Sequence, residues 1–127
     1  MDFVVDNALK NSDQSNLNME VHQATIKVIG AGGAGNNMVN WLYQKGVKGA
    51  EIIACNTDQQ HLSVTEADRK FLIGRETTRG LGCGGFPEKG TESAHEQINE
   101  IKDSLKQSDM VFVCAGMGGG TGTGAVP

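Results

Sequence analysis

The chain has 127 residues, a formal net charge of −4, 38% hydrophobic residues and 20% charged residues. This length suits one ordinary domain, and the composition argues against disorder throughout the chain. The acidic balance argues against strong nonspecific nucleic-acid binding, and no apolar run approaches the roughly 18 residues of a membrane span. We therefore expect a soluble globular protein that neither binds nucleic acid nor inserts directly into a membrane.

The first 24 residues are rich in Asn, Ser, Asp and Gln, with one short apolar patch around Val4 and Val5. We expect residues 1–24 to form a flexible tail, although the patch could form a short helix that docks on the body or on a partner. The amino terminus lacks the features of a signal peptide. Three widely spaced cysteines indicate a reducing compartment, so the cytoplasm is the expected location.

Strand-like and helical segments alternate along the rest of the chain. Short apolar runs predict four strands, at 25–30, 50–55, 70–74 and 109–116. Apolar spacing predicts helices at 36–45 and 91–108 and a short helix or turn at 58–68. This alternation predicts an α/β fold, a Rossmann-like parallel sheet with helices on both faces. The fourth strand is a continuous apolar run, typical of a strand buried on both faces.

A glycine-rich or polar segment follows every predicted strand. These segments are Gly30 to Gly35, Asn56 to Asp58, the glycines within 80–85, and Gly116 to Gly124. Ligands of parallel sheets bind at the carboxyl ends of the strands, where such loops converge. Four loops at one edge therefore predict one ligand site.

The first loop, "GAGGAG", fits the pattern G-x-G-x-x-G at Gly30, Gly32 and Gly35. Glycines there allow backbone N–H groups and the following helix to approach a diphosphate. Asp58 follows Gly35 by about 23 residues, near the offset of a ribose-binding acid. These features alone favour an NAD or FAD site, and close strand–helix packing is the alternative explanation for the glycines.

The fourth loop, "GGGTGTG", changes that preference. A second glycine loop of this kind is not part of a dinucleotide-binding fold. The absence of lysine from 107–127 excludes the P-loop pattern. Two glycine loops at two strand exits can hold one polyphosphate with backbone amides and a helix start in place of lysine. The hydroxyls of Thr121 and Thr123 are candidates for hydrogen bonds to phosphate or for holding Mg²⁺.

The sequence "GGGTGTG" resembles the phosphate-binding loop shared by tubulins and the FtsZ family of prokaryotic cell-division GTPases. Four stretches resemble FtsZ in the same order: "IKVIGAGGAGNN", "NTDQQHL", "TRGLGCGGFPEKG" and "DMVFVCAGMGGGTGTGAVP". On this resemblance, residues 25–127 are the incomplete amino-terminal part of a tubulin/FtsZ-type nucleotide-binding domain.

The resemblance implies GTP or GDP as the nucleotide, with Mg²⁺, and hydrolysis of GTP at the contact between subunits of head-to-tail filaments. It implies a cytoplasmic role at the division site, with membrane-tethering and other division proteins as partners. A non-hydrolysing scaffold of the same family remains an alternative. The implied nucleotide-binding residues are Gly32, Gly33, Ala34, Gly35, Asn36, Asn37, Asn56, Asp58, Gly84, Gly85, Gly118, Gly119, Gly120, Thr121, Gly122 and Thr123.

The resemblance also implies that guanine recognition and the water-positioning aspartate belong to segments beyond Pro127. We therefore expect the 127-residue chain alone to contain no catalytic residue, to bind weakly, to hydrolyse almost nothing and to be unstable. Phe86 departs from the family pattern, which usually has a small or amide residue, often Asn, before the proline. His61 and His95 lack the spacing of metal or nucleophile sites, so we expect surface or edge histidines.

Overall fold

A computed structural model describes residues 23–127 together with Asp2, Val4 and Val5. The predicted flexible tail at 1–24 lies largely outside the described residues. Four strands run parallel in one sheet of order β3-β2-β1-β4. They are β1 (Ile26–Ala31), β2 (Ala50–Asn56), β3 (Arg69–Leu72) and β4 (Met110–Ala115).

Five helices connect or follow these strands in the described part of the chain. They are α1 (Gly32–Lys45), α2 (Gln59–Val64), α3 (Pro87–Glu96), α4 (Ile98–Leu105) and α5 (Thr121–Ala125). Of the helices described, none has both the length and the hydrophobicity needed to cross a membrane.

The sheet separates two apolar clusters, because successive residues of a strand point to opposite faces. On one face, Val28 and Ile52 pack with Val39 of α1 and Leu62 of α2. On the other face, the strand residues pack against α4 and α5; this cluster contains Ile29, Ala31, Ile53, Cys55, Ile73, Ile101, Leu105 and Val126. The predicted α/β sheet with helices on both faces is confirmed.

The predicted helix at 91–108 is wrong in its extent. The chain becomes helical earlier, at Pro87, and two helices meet at Gln97, whose φ of −104° and ψ of 26° interrupt the regular helix. Gln97 accepts a hydrogen bond from Gly74 N, and the neighbouring Glu96 carboxylate binds the 76–77 backbone. These long-range contacts hold the junction against the 74–77 turn. The spacing of apolar residues along the chain cannot predict such contacts.

The predicted burial of the fourth strand on both faces is also wrong. Met110, Phe112 and Val113 are each about half exposed. Strand β4 pairs with β1 and lies at one edge of the sheet formed by the described residues. Val111 and Cys114 pack against the two apolar clusters, whereas the described helices leave Met110, Phe112 and Val113 half exposed.

Cys55 packs in the apolar cluster on the α4 and α5 face. Desolvation by burial raises the pKa of its thiol to about 12. The thiol therefore stays protonated near neutral pH and packs as a small apolar side chain.

Candidate functional site

A cavity of about 480 Å³ lies at the carboxyl edge of the sheet, where all four strands end. Gly33 and Ala34 line it after β1, residues 56–58 after β2, residues 81–84 in the connection after β3, and residues 119–122 after β4. Because parallel strands end at the same edge, segments far apart in sequence become neighbours. The structure thus brings the four predicted loops to one site.

The first loop forms the beginning of helix α1, which starts at Gly32 directly after β1. Gly32 has a φ of +75°, and a Cβ on Gly35 would clash with the Cys114 carbonyl oxygen of β4. A Cβ on Gly30 would in turn lie against the Gly35 carbonyl. Gly30 and Gly35 therefore serve close strand–helix packing, while Gly33 and Ala34 present the first turn of the helix to the cavity.

Two asparagines build the base of the site. Asn36 is completely buried, and its amide donates to Gly30 O at 3.1 Å and to Cys55 O at 2.8 Å. Asn56 Oδ1 accepts from Thr57 N at 2.9 Å and from Asp58 N at 3.2 Å. The asparagine side chains thus hold the ends of β1 and β2 and shape the turn that follows β2.

Asp58 has two structural roles at the entrance of helix α2. Its Oδ1 accepts from His61 N at 3.1 Å, which caps the helix. Its backbone forms an isolated antiparallel bridge with Leu81, and Gln59 N donates to Gly80 O. The second and third loops are therefore joined along one wall of the cavity.

Three buried side chains form a closed ring of hydrogen bonds beneath the cavity. Thr121 Oγ1 donates to Cys83 Sγ at 3.4 Å, and Cys83 Sγ donates to Thr57 Oγ1 at 3.5 Å. The Thr57 hydroxyl then donates to Thr121 Oγ1 across 2.7 Å. Each of the three residues is at most 9% exposed. The ring connects the exits of β2, β3 and β4.

The fourth loop is held by contacts that require small residues. Thr123 Oγ1 accepts from Gly118 N at 2.9 Å, which closes the loop on itself. A Cβ on Gly120 would lie 2.7 Å from Cys83 Cβ, and one on Gly122 would lie 2.8 Å from Gly116 O. Only glycine therefore allows the loop to pack this closely on the third loop and on the end of β4.

The structure places more than half of the sequence-predicted site residues at the cavity. These are Gly33, Ala34, Asn56, Asp58, Gly84, Gly119, Gly120, Thr121 and Gly122. The remaining predicted residues lie nearby, in α1, in the supporting loops and in α5, and are Gly32, Gly35, Asn36, Asn37, Gly85, Gly118 and Thr123.

Sequence reasoning missed several residues that line the cavity: Ala31, Thr57, His61, Leu81, Gly82, Cys83, Gly116 and Met117. Thr57 and Cys83 are next to predicted site residues in the sequence, and this adjacency could have identified them. His61 lies three residues after Asp58, one helical turn away, on a helix that begins at this edge. His61 is partly exposed in the cavity wall, as a surface or edge histidine would be, but the sequence did not place it at the site.

The cavity lining carries little charge. It includes one carboxylate, that of Asp58, and neither lysine nor arginine. Within the part of the chain that the structure describes, no group of three or more His, Cys, Asp or Glu side chains is arranged to hold a metal ion. Binding of an anion here would rest on backbone N–H groups and on the amino-terminal turn of α1.

Comparisons with known proteins agree on one family. The profile of the Tubulin/FtsZ family, GTPase domain, matches residues 25–127. "Cell division protein FtsZ 2" of Methanocaldococcus jannaschii is 54% identical over 125 residues, which cover 98% of this chain and 33% of that protein. "Cell division protein FtsZ 1" of Archaeoglobus fulgidus is 55% identical over 105 residues, which cover 83% of this chain and 28% of that protein.

Solved structures show the same similarity. An FtsZ dimer from M. jannaschii matches with a TM-score of 0.83 and 48% identity, covering 91% of this chain and 34% of that one. CetZ2 from Haloferax volcanii, solved as a GTPγS-bound protofilament, matches with a TM-score of 0.69 and 28% identity, covering 80% and 33%. The chain spans about a third of the length of these relatives. It belongs to the tubulin/FtsZ family.

Proposed function

We propose that the cavity binds the phosphates of GTP or GDP and that the protein is a polymerising GTPase of cell division. The observation that carries this proposal is the convergence of two glycine loops, after β1 and after β4, on one cavity whose lining lacks lysine and arginine. Backbone amides at 33–34 and 119–121 hold the phosphates, and the dipole of α1 adds attraction for an anion.

Mg²⁺ accompanies the nucleotide in this proposal. The Thr121 hydroxyl is already hydrogen-bonded to Thr57 and Cys83, and the Thr123 hydroxyl accepts from Gly118 N. Each of the two hydroxyl oxygens keeps a lone pair, so either threonine could contact the ion directly or through water, and phosphate oxygens and water would supply most of its ligands.

Self-association places a second copy over the mouth of the cavity. Support comes from three exposed apolar side chains around it, since Leu81 is 84%, Met117 65% and Phe86 58% exposed. Relatives have been solved as a dimer and as a protofilament. GTP is hydrolysed at this subunit contact, so that nucleotide state controls assembly at the division site in the cytoplasm, together with tethering and other division proteins.

The NAD or FAD alternative has no support from the similar proteins, which are cell-division proteins named FtsZ. A non-hydrolysing scaffold differs from the GTPase in one measurable property. Hydrolysis at a subunit contact makes phosphate release per subunit rise with protein concentration, whereas a scaffold binds GTP and releases no phosphate at any concentration.

Calorimetric titration with GTP, GDP and NAD of the protein completed to the length of its FtsZ relatives tests the binding proposal. Gly119 suits the test because a Cβ there meets no atom within 4 Å, so a side chain adds charge without a clash. We expect Gly119→Asp to weaken GTP binding at least about tenfold more than Gly119→Asn, because the two differ only in charge. Equal affinities of the two variants, or preference for NAD over GTP, would contradict the proposal.

A further inference from the structure

The imidazole of His61 forms part of the cavity wall, between the second loop and the start of helix α1. Asp58 fixes the backbone of His61 through the helix cap. The ring Nε2 lies 3.1 Å from Asn37 Oδ1. The ring is therefore held at both ends, by its own helix and by α1.

The partner of Nε2 determines which ring nitrogen carries the proton. A carboxamide oxygen can only accept a hydrogen bond, so Nε2 must be the donor. In the neutral ring, Nδ1 is then the unprotonated nitrogen. The Cε1–Nδ1 edge faces the first glycine loop, since a Cβ on Gly33 would lie 3.4 Å from Cε1 and 3.5 Å from Nδ1.

Among the residues that line the cavity, His61 is the one that can acquire a positive charge. The surrounding elements contribute neutral Asn37 from α1, the Asp58 carboxylate at the cap, and Lys70 of β3, whose ammonium group contacts Ser63 O. Arg79, which lines a neighbouring cavity with Asp58, and the Cys83 thiol are the groups of the third loop. Of these side chains, histidine is the one that ordinarily changes charge between about pH 5 and 8.

We propose that His61 is a phosphate-binding residue that couples nucleotide binding to proton uptake. The inference rests on the proposed binding of a nucleotide in this cavity. Neutral Nδ1 offers a lone pair, which repels a phosphate oxygen, whereas protonated Nδ1 offers an N–H donor and a charge in a site without lysine or arginine. Nucleotide phosphates therefore favour the protonated ring, and affinity falls as the pH rises through the range in which histidine titrates.

The test compares GDP affinity at about pH 6 and pH 8 for the wild-type protein and for His61→Gln, with His95→Gln as the matched control. His95 is an exposed histidine on α3 that lies outside the cavity lining. Glutamine retains a donor for Asn37 but does not titrate. The phosphate groups of GDP also titrate in this range, and their contribution cancels because the same ligand is used for every protein.

We expect the affinity of wild-type protein and of His95→Gln to fall between pH 6 and pH 8 by about five- to tenfold more than that of His61→Gln. In nuclear magnetic resonance titrations, added GDP should move the titration midpoint of the His61 ring to higher pH and leave that of His95 in place. Equal pH dependence in wild type and His61→Gln, or an unmoved His61 midpoint, would overturn this inference alone. Failure of wild-type protein to bind GDP at either pH would overturn the proposed function itself.

Discussion

Thr57 Oγ1 and Thr121 Oγ1 lie 2.7 Å apart, although the two residues follow strands that are not neighbours in the sheet. Thr57 follows β2 and Thr121 follows β4, so their contact passes over the end of β1, which lies between them. Cys83 closes the ring from the third loop. Three loops of the candidate nucleotide site are thereby joined to one another by buried side chains of residues that line the cavity.

Removal of the Thr57 hydroxyl should destabilise the protein. Thr57→Val keeps the shape of the side chain but removes two of the three hydrogen bonds of the ring, so that buried Thr121 and Cys83 keep only the bond between them. We expect the free energy of unfolding in urea to fall by about 1–2 kcal/mol. Thr57→Ser retains the hydroxyl and should lose less. A larger loss for serine than for valine would show that packing of the methyl group, and not the hydrogen-bonded ring, is what stabilises this site.

Two glycines of the first loop should differ in how strongly replacement by alanine affects stability. A Cβ on Gly35 would clash with the Cys114 carbonyl oxygen, whereas a Cβ on Gly33 would meet only the His61 ring at ordinary contact distance. We expect Gly35→Ala to lower the free energy of unfolding by roughly 1–3 kcal/mol despite the better helix propensity of alanine. Gly33→Ala should stay within about 1 kcal/mol of wild type. Similar effects at both positions would contradict the assignment of Gly35 to packing.

Glu96 should make the stability of the protein depend on acidic pH. Hydrogen bonds from Glu76 N, and then from the Thr77 hydroxyl and N–H and the Gln97 amide, lower the pKa of this carboxyl from 4.5 to about 2. The folded carboxyl is thus more acidic than the unfolded one. Its contribution is complete above about pH 4.5 and is lost as the pH falls toward 2.

Glu96→Gln should therefore lower the urea midpoint at pH 6 and reduce the difference between the midpoints at pH 6 and pH 3. Glu92→Gln, on the same helix and exposed, serves as the control and should leave that difference unchanged. An equal loss of pH dependence in both variants would indicate a general charge effect instead of the specific Glu96 contacts.

Phe86 occupies the amino-terminal cap of α3 with an extended backbone, φ −95° and ψ 109°, and makes no side-chain capping hydrogen bond. Asparagine is among the best residues for such a position. We expect Phe86→Asn to raise the free energy of unfolding by about 0.5–1 kcal/mol and to weaken self-association, because an exposed ring is removed from the cavity mouth. Phe86→Ala, which removes the ring without adding a cap, should weaken association and not raise stability. Sedimentation velocity and urea unfolding measure the two effects separately.

The sequence predicts the sheet, its helical layers and the position of the site, and the reason is physical. The apolar runs 25–30 and 50–55 closely match β1 and β2. The carboxyl ends of parallel strands must lie at the same edge of the sheet. A pattern of glycines after consecutive strands therefore predicts a shared cavity even before any contact is known. Helix α1 begins at Gly32, four residues before the start that apolar spacing predicts. A glycine loop can therefore also form the first turn of a helix.

The features of the site that the sequence did not predict depend on contacts between residues far apart in the chain, which local sequence patterns do not reveal. The residues next to His61 in the sequence do not indicate its partner. Asn37 lies beside the His61 ring only because α1 and α2 pack on the same side of the sheet. Thr57 and Cys83 meet because the second and third loops fold against each other. Phe112 and Val113 lie on opposite faces of β4 and are both half exposed, and the apolar character of residues 110–115 does not specify whether another element covers these faces.

The central claim is that the loops after β1 and β4 hold the phosphates of one nucleotide. Amide resonances of ¹⁵N-labelled protein, followed during titration with GTP and Mg²⁺, test it most directly. We expect the amide resonances of Gly33, Ala34, Gly119 and Gly120 to shift together and yield a single dissociation constant, and we expect NAD to produce no comparable change. Shifts confined to one loop, or separate dissociation constants for the two loops, would contradict it.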